Sequence, residues 1–307
     1  MTTKRDFLSL TDLTLAEARR VLDLARVLKK EHTATPAARV AALAGRSVAV
    51  VLEKASTRTR VSFEVGAAHL GMHPVVLTTQ GSQLARGEPI ADTARVLARY
   101  VDLIVFRTST RERLEGMARA ASVPVINALS DDGHPVQVLC DVLTIEEQLG
   151  RSVEGMRVAW IGDGGSNMAR SFVEAAGLFG FHLAVAGPET YWAEPSFRAK
   201  ATAHATFGAD AAAALAGADV VCTDVWTSMG QEAENARRLR DFAGYTVTEA
   251  MLAPARKEAI VLHCLPAHRG EEIDEAVLEG PRSRVWDQAE NRLHVQKALM
   301  LWLLGAA

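Results

Sequence analysis

The stretch that most constrains the fold is Ser47–Gly71, SVAVVLEKASTRTRVSFEVGAAHLG, where a buried strand, an anion-seeking turn and a helix follow one another without a break. Ser47 to Glu53 reads as a strand, because its β-branched Val48, Val50 and Val51 sit in a nearly continuous apolar run. That composition suits a parallel strand covered on both faces. The turn from Lys54 to Arg60 then opens a helix, with Ser56 as N-cap and Val61, Val65 and Ala68 at helical spacing. The unpaired N–H groups and positive dipole end of that helix, the hydroxyls of Ser56, Thr57 and Thr59, and the guanidinium groups of Arg58 and Arg60 together suit a phosphate or similar dianion. Open α/β sheets bind ligands beyond the carboxyl ends of their strands, which is where this turn falls. The same residues also fit a solvated, basic helix start.

At 307 residues, 49% hydrophobic and 23% charged, the chain can form two compact α/β domains of about 150 residues each. A net charge of −3 offers no basic surface for nucleic acid, so the Ser-Thr-Arg turn is read as a small-anion site and no nucleic-acid partner is expected. Cys140, Cys222 and Cys264 are few, odd in number and scattered, as in a reducing cytoplasm without a disulfide framework. The start MTTKRDFLSLTDLT lacks the apolar segment of a signal peptide, and no apolar run approaches membrane-spanning length. The expectation is a cytoplasmic protein with no membrane partner.

In chain order, the capping box Thr14-Leu15-Ala16-Glu17 announces a helix from Leu15 to Glu31. A short strand near Pro74–Leu77 leads to a polar loop, Thr78 to Pro89. A helix Ile90–Tyr100, a strand Leu103–Phe106 ending at Arg107, a helix Arg111–Ala121 and a strand Val123–Ile126 continue an alternation that means a parallel sheet with crossover helices. Pro135 opens a helix that runs to Leu149 and puts His134 and Gln137 on one face at its start. A histidine before proline is equally a loop residue bonded to backbone. Beyond Gly150 the pattern restarts, with strands Arg157–Ile161, His182–Ala186, Val220–Thr223 and Ile260–His263, helices Met168–Phe179 and Pro195–Phe207, and a short helix within Ala209–Ala218. The expected architecture is α/β, with two doubly wound parallel-sheet domains linked by interdomain helices and a boundary around Leu149–Gly155.

Gly162-Asp163-Gly164-Gly165-Ser166-Asn167 directly follows a strand and is similar to the dinucleotide fingerprint G-x-G-x-x-G. Asn167 stands at the third glycine, and Glu189 falls further downstream than the ribose-binding acid of that fingerprint. A nicotinamide-dependent dehydrogenase is therefore an alternative on this motif alone, although it leaves the Ser-Thr-Arg turn without a task.

Ser56-Thr57-Arg58-Thr59-Arg60, Arg107, His134-Pro135-x-Gln137, Asp224-Val225-Trp226-Thr227-Ser228-Met229-Gly230 and His263-Cys264-Leu265-Pro266 together resemble the transcarbamoylase family, and within it the ornithine-using members, along essentially the whole chain. Each motif is short, and their occurrence in the family's order is what makes the match specific. The resemblance implies a carbamoyl phosphate domain over 1–149, rejoined by the terminal helix at about 288–307, an ornithine domain over 150–287, no cofactor, and a homo-oligomer built of trimers. It implies that carbamoyl phosphate is held by Ser56, Thr57, Arg58, Thr59, Gln83, Arg107, His134, Gln137, Cys264, Leu265 and Arg292, with Arg58 foremost on the phosphate. Ornithine would be read by Asn167, Asp224, Ser228 and the Met229 backbone. Arg107, His134, Cys264 and Asp224 carry the catalytic roles.

Bland readings stand beside these. Cys264 also fits a small buried hydrophobe, Asp224 a loop cap, and Trp226 and Met229 core residues of that loop. His263, Cys264 and His268 hint at zinc but lack a fourth ligand and a recognised spacing, so no metal is expected. Aspartate-using relatives carry a lysine in the 80–89 loop, where this chain has Gln83 and Arg86 and no lysine. The role of Arg86 stays open. Relatives that use acetylornithine, succinylornithine or putrescine depart from Ser228-Met229-Gly230, so the intact triplet favours free L-ornithine as acceptor, giving citrulline and phosphate in a step of arginine biosynthesis.

Overall fold

The computed structural model describes residues 4–34, 41–79, 83–201, 203–227 and 232–306. They divide into two compact units, Met1–Leu139 with Glu290–Ala307, and Cys140–Ala289. In the first unit, α1 (Leu15–Ala34) precedes β1 (Ser47–Leu52), α2 (Thr57–His69), β2 (His73–Thr78), α3 (Ile90–Leu97), β3 (Leu103–Arg107), α4 (Arg111–Ala120), β4 (Val125–Leu129) and α5 (Pro135–Leu149), along which the chain passes into the second unit. The second unit continues with β5 (Arg157–Ile161), α6 (Asn167–Phe179), β6 (His182–Ala186), α7 (Pro195–Ala201), β7 (Ala205–Gly208), α8 (Ala211–Leu215), β8 (Val220–Thr223), α9 (Asn235–Asp241), β9 (Ile260–His263) and α10 (Glu275–Leu278). The final helix, α11 (Val285–Leu303), carries the chain back to the first unit.

Both sheets are parallel, with strand orders β2-β1-β3-β4 and β7-β6-β5-β8-β9. The central strands read as apolar runs because both of their faces are covered: Val48 to Leu52 and Leu103 to Phe106 are all buried. The order of each sheet sets where a ligand can go. From β1 the chain adds β2 on one side and β3 on the other, so the turns after β1 and β3 leave the sheet in opposite directions and open a crevice at their carboxyl ends. β5, with β6 on one side and β8 on the other, repeats the arrangement in the second unit.

Several element boundaries differ from the sequence expectation. The helix expected over Pro195–Phe207 ends at Ala201, and Ala205–Gly208 instead forms the edge strand β7 against β6. That alanine- and threonine-rich run satisfies a helical period, and only pairing with Leu183–Ala186 makes its end a strand. The helix from Ile90 stops at Leu97, leaving Tyr100 in the following turn and 74% exposed. The fourth strand is displaced to Val125–Leu129, since Pro124 has no N–H to give the ladder and buried Asn127 turns its amide to the Leu8 carbonyl (2.9 Å). Helices α9 and α10, each only a few residues long, carry no periodic signal.

Candidate active site

In the first unit, the turn after β1 is fixed from both ends. Glu53 accepts from Thr108 Oγ1 and from the Arg113 guanidinium, and Lys54 pairs with Asp131 at 2.8 Å. Ser56 caps α2 by accepting the Thr59 N–H (3.2 Å). The hydroxyl of the fully buried Thr59 accepts from Arg107 Nη1 (3.3 Å) at the end of β3 and from Arg292 Nη2 (3.0 Å) on α11. With its oxygen taken by two guanidinium groups, that hydroxyl keeps its own hydrogen as a donor. Arg58 is half-buried in the first turn, with Ser56 half-buried and Thr57 exposed beside it. Arg60 does not join this group, because it is exposed and paired with Glu64 one turn along (3.3 Å).

His134 and Gln137 open α5, and both are buried. Burial, and after it the positive charges of Arg292, Arg107 and Arg58, hold the His134 imidazole well below the usual histidine range. It is neutral at pH 7. One N–H can therefore donate without bringing a further cation into an already positive site. Gln83 begins a short 3-10 turn, Gln83–Arg86, with both its side chain and that of Arg86 exposed.

In the second unit, the turn after β5 is built on Asp163, which accepts the Gly165 N–H (2.9 Å) and pairs with Arg238 (2.7 Å). Arg238 is buried and also donates to the Trp226 carbonyl (2.8 Å), so a single side chain ties the turn after β5 to the loop after β8. Ser166 caps α6 and Asn167 is its first residue. The glycines of this turn are packed by the chain itself. A Cβ at Gly164 would lie 2.9 Å from Val185 Cγ1, and one at Gly187 would lie 2.0 Å from the Gly162 carbonyl oxygen. They serve close loop packing, where a dinucleotide fingerprint would leave glycine surface for a pyrophosphate.

Asp224 follows β8 and Cys264 follows β9. Asp224 Oδ1 accepts from the Val225 N–H (2.8 Å) and from Cys264 Sγ (3.2 Å). Burial raises the Asp224 carboxyl above its ordinary range, against the opposing hydrogen bonds from the Cys264 thiol and the Val225 N–H. His263 is held on three sides. Its backbone N–H donates to Gln288 Oε1 (3.0 Å), its ring Nδ1 accepts the Leu265 N–H (2.9 Å), and its ring Nε2 donates to Glu272 Oε1 (3.0 Å). The Leu265 bond fixes the tautomer, leaving Nε2 to carry the hydrogen. Gln288 in turn donates to Asp141 Oδ1 (2.7 Å). The histidine ring thus has no lone pair to spare for a metal, even though Asp224, His263 and Cys264 are close enough to suggest one. A second such group is His268, Glu271 and Glu272.

Trp226 is buried and stacks on Phe242 at 5.4 Å, so it is a core residue of its loop. Ser228 and Met229 lie outside the described residues. Sequence reasoning missed Arg238, Glu272 and Gln288. Glu272 stood only nine residues after His263, but Arg238 and Gln288 are far in sequence from what they hold and gave no local sign.

Residues 5–147 match the family model described as the aspartate/ornithine carbamoyltransferase carbamoyl-P binding domain, and residues 154–303 match its Asp/Orn binding domain. An ornithine carbamoyltransferase of Sorangium cellulosum is 66% identical over 98% of this chain and 98% of its own length. One from Acidothermus cellulolyticus is 54% identical over 99% and 97%. Among solved structures, ornithine carbamoyltransferase from Pyrococcus furiosus superposes with a TM-score of 0.92 at 43% identity, covering 99% of this chain and 98% of that one. The Thermus thermophilus enzyme gives 0.89 at 43%, covering 99% and 100%.

Proposed function

We infer the reaction from the premise that this chain belongs to the aspartate/ornithine carbamoyltransferase family, both of whose domain models it matches in order. It is a carbamoyltransferase that moves the carbamoyl group of carbamoyl phosphate to the δ-amine of L-ornithine, giving L-citrulline and phosphate. The observation that carries this is the buried Thr59 hydroxyl receiving Arg107 and Arg292 beside a neutral His134, at the start of a capped helix. Such a constellation suits a phosphate dianion with a polarisable carbonyl next to it. Acetylornithine, putrescine and the nicotinamide dehydrogenase are not favoured.

The residue roles proposed follow from the chemistry. The α2 N-terminus, Ser56, Thr57, Arg58, Thr59 and Arg292 hold the phosphate. Gln83 is assigned to carbamoyl phosphate on the family resemblance. Charge develops on the carbonyl oxygen as the tetrahedral transition state forms, and Arg107, the neutral His134 imidazole and the Thr59 O–H are donors aimed at it. Gln137 and the backbone carbonyls of Cys264 and Leu265 accept from the carbamoyl NH₂. Asn167, Asp224, Ser228 and Met229 hold the α-amino and α-carboxylate ends of ornithine, leaving its δ-amine to attack at about 3 Å. That amine must first lose a proton, and Asp224 and Cys264 are the acid–base groups assigned to its surroundings. Phosphate then departs with the electrons of the broken C–O bond.

The domain assignment proposed is 1–149 with 288–307 for carbamoyl phosphate and 150–287 for ornithine; the gap between the two matched models, 147–154, supports its internal boundary, and the grouping of Glu290–Ala307 with the first unit supports the return of the terminal helix, which the ornithine-domain model itself includes. A trimer or multiple of trimers, a cytoplasmic location and a place in arginine biosynthesis are proposed on the resemblance. Among the described residues no helix is long and apolar enough to cross a membrane. The test is citrulline-type product formation from carbamoyl phosphate with ornithine, aspartate, acetylornithine and putrescine side by side. Ornithine should be preferred by at least about a hundredfold in kcat/KM, since a site that pairs a substrate's polar groups rejects analogues that leave them unpaired. Comparable rates with any other amine would overturn the assignment.

A further inference from the structure

The turn that follows Cys264 carries a donor set that the transfer reaction does not use. His268 Nδ1 lies 3.4 Å from Glu271 Oε2 and 4.0 Å from Glu272 Oε2. Glu272 is fully buried, and its Oε1 accepts from His263 Nε2 (3.0 Å) and the His268 N–H (2.6 Å). Its other oxygen, Oε2, has no hydrogen-bond partner among the described residues and is turned toward His268. Neither carboxylate has a Lys or Arg ion-pair partner among the described residues, and the nearby Arg269 is engaged by Glu275 and Glu279. A buried carboxylate oxygen left without a donor is costly, and a second carboxylate beside it adds repulsion. A cation relieves both.

We propose that His268 Nδ1, Glu271 and Glu272 Oε2 bind one divalent transition-metal ion of the zinc, cobalt or manganese type. One imidazole and two carboxylates suit these ions better than magnesium or calcium, which prefer all-oxygen shells. The spacing is compatible. Donors around a tetrahedral ion with bonds of about 2.0–2.1 Å stand about 3.3 Å apart, so the ring and the Glu271 carboxylate are already at that separation and Glu272 Oε2 needs a small inward shift. His268 and Glu271 are partly exposed, which gives the ion an entry from solvent, and water completes its shell. Cys264 takes no part. Since the other oxygen of Glu272 holds the His263 ring, the ion would brace the turn from His263 to Glu272 from its outer side.

The test uses the full-length, untagged protein after chelator treatment, titrated with CoCl₂ by absorption and with ZnCl₂ by calorimetry. One ion per chain should bind saturably, and the cobalt spectrum should show d–d bands without a thiolate charge-transfer band. His268→Ala and Glu271→Gln should each weaken binding by about tenfold or more, while Cys264→Ala leaves it unchanged. Absence of saturable binding, a thiolate band, or binding that survives His268→Ala and is lost in Cys264→Ala would overturn the proposal.

Discussion

Replacing Thr59 with valine tests the phosphate-side assignment at its most connected atom. Valine nearly matches threonine in shape and Thr59 is fully buried, so packing is kept while the hydroxyl is lost. Two acceptor contacts disappear, to Arg107 at 3.3 Å and to Arg292 at 3.0 Å. Hydrogen bonds to charged groups contribute about 1.5–3 kcal/mol each, and the longer of the two belongs at the low end, so about 3–5 kcal/mol of positioning is at stake. The O–H that would donate to the developing oxyanion is lost as well, which on its own costs about 10²–10³ in kcat. Citrulline formation at saturating substrates should therefore fall by at least about a hundredfold in Thr59→Val and recover to within about tenfold in Thr59→Ser, which keeps the hydroxyl. Circular dichroism and a urea titration would separate this from loss of fold, and added inorganic phosphate should restore part of any lost stability by supplying acceptor oxygens to both arginines. A Thr59→Val protein that is folded and turns over within about threefold of wild type would refute the reasoning.

Arg58→Ala should weaken carbamoyl phosphate binding by about 2–4 kcal/mol with the far-ultraviolet spectrum unchanged, and unaltered affinity by calorimetry would remove Arg58 from the phosphate site. The ornithine δ-amine has an intrinsic pKa of about 10.4, so about one molecule in two thousand is uncharged at pH 7, and kcat/KM for ornithine should rise about tenfold per pH unit from 6 to 8. A flat profile would count against direct attack by the free amine. Burial, with Lys297, Lys29, His32 and His69 around it, pushes His294 down to about 3. The unfolded chain then takes up its proton first as pH falls, so stability is complete above about pH 6.5 and declines below it, by about 2 kcal/mol at pH 5 and about 4 kcal/mol at pH 3. Urea denaturation at pH 7 and pH 5 should show that loss in wild type and not in His294→Gln, and equal losses in both would contradict it.

What was legible in the sequence was whatever the chain settles locally. The capping box at Thr14 and Glu17 forms, with Glu17 N–H donating to Thr14 Oγ1 (3.3 Å) and Thr14 N–H to Glu17 Oε2 (2.9 Å). Ser56 caps α2, Pro135 starts α5, and the central strands lie where continuous β-branched runs placed them. What could not be read depends on partners far away in sequence. Ala205–Gly208 is a strand only because β6 has an open edge. Arg238 lies on a short helix with no periodic signal and matters through Asp163, 75 residues earlier. Arg60 shares the charge of Arg58 and stands two residues from it, so composition counted both as anion ligands; the helical turn between them sends one outward to Glu64.

The two switch points employ one backbone device with opposite charge. At β1/β3 a helix start gathers Arg58, Arg107 and Arg292, and at β5/β8 a helix start faces a loop headed by Asp224. The concentration of positive charge in the first also acts on His134. Burial, and after it three guanidinium groups, push the His134 imidazole well below its ordinary range, so it stays neutral and can donate one N–H across pH 6–8. An unperturbed histidine would change charge near pH 6.5 and bend every rate profile there. With His134 removed from that window, the proposed mechanism predicts a pH slope that belongs mainly to the ornithine amine, modulated by Asp224 and Cys264 beside it.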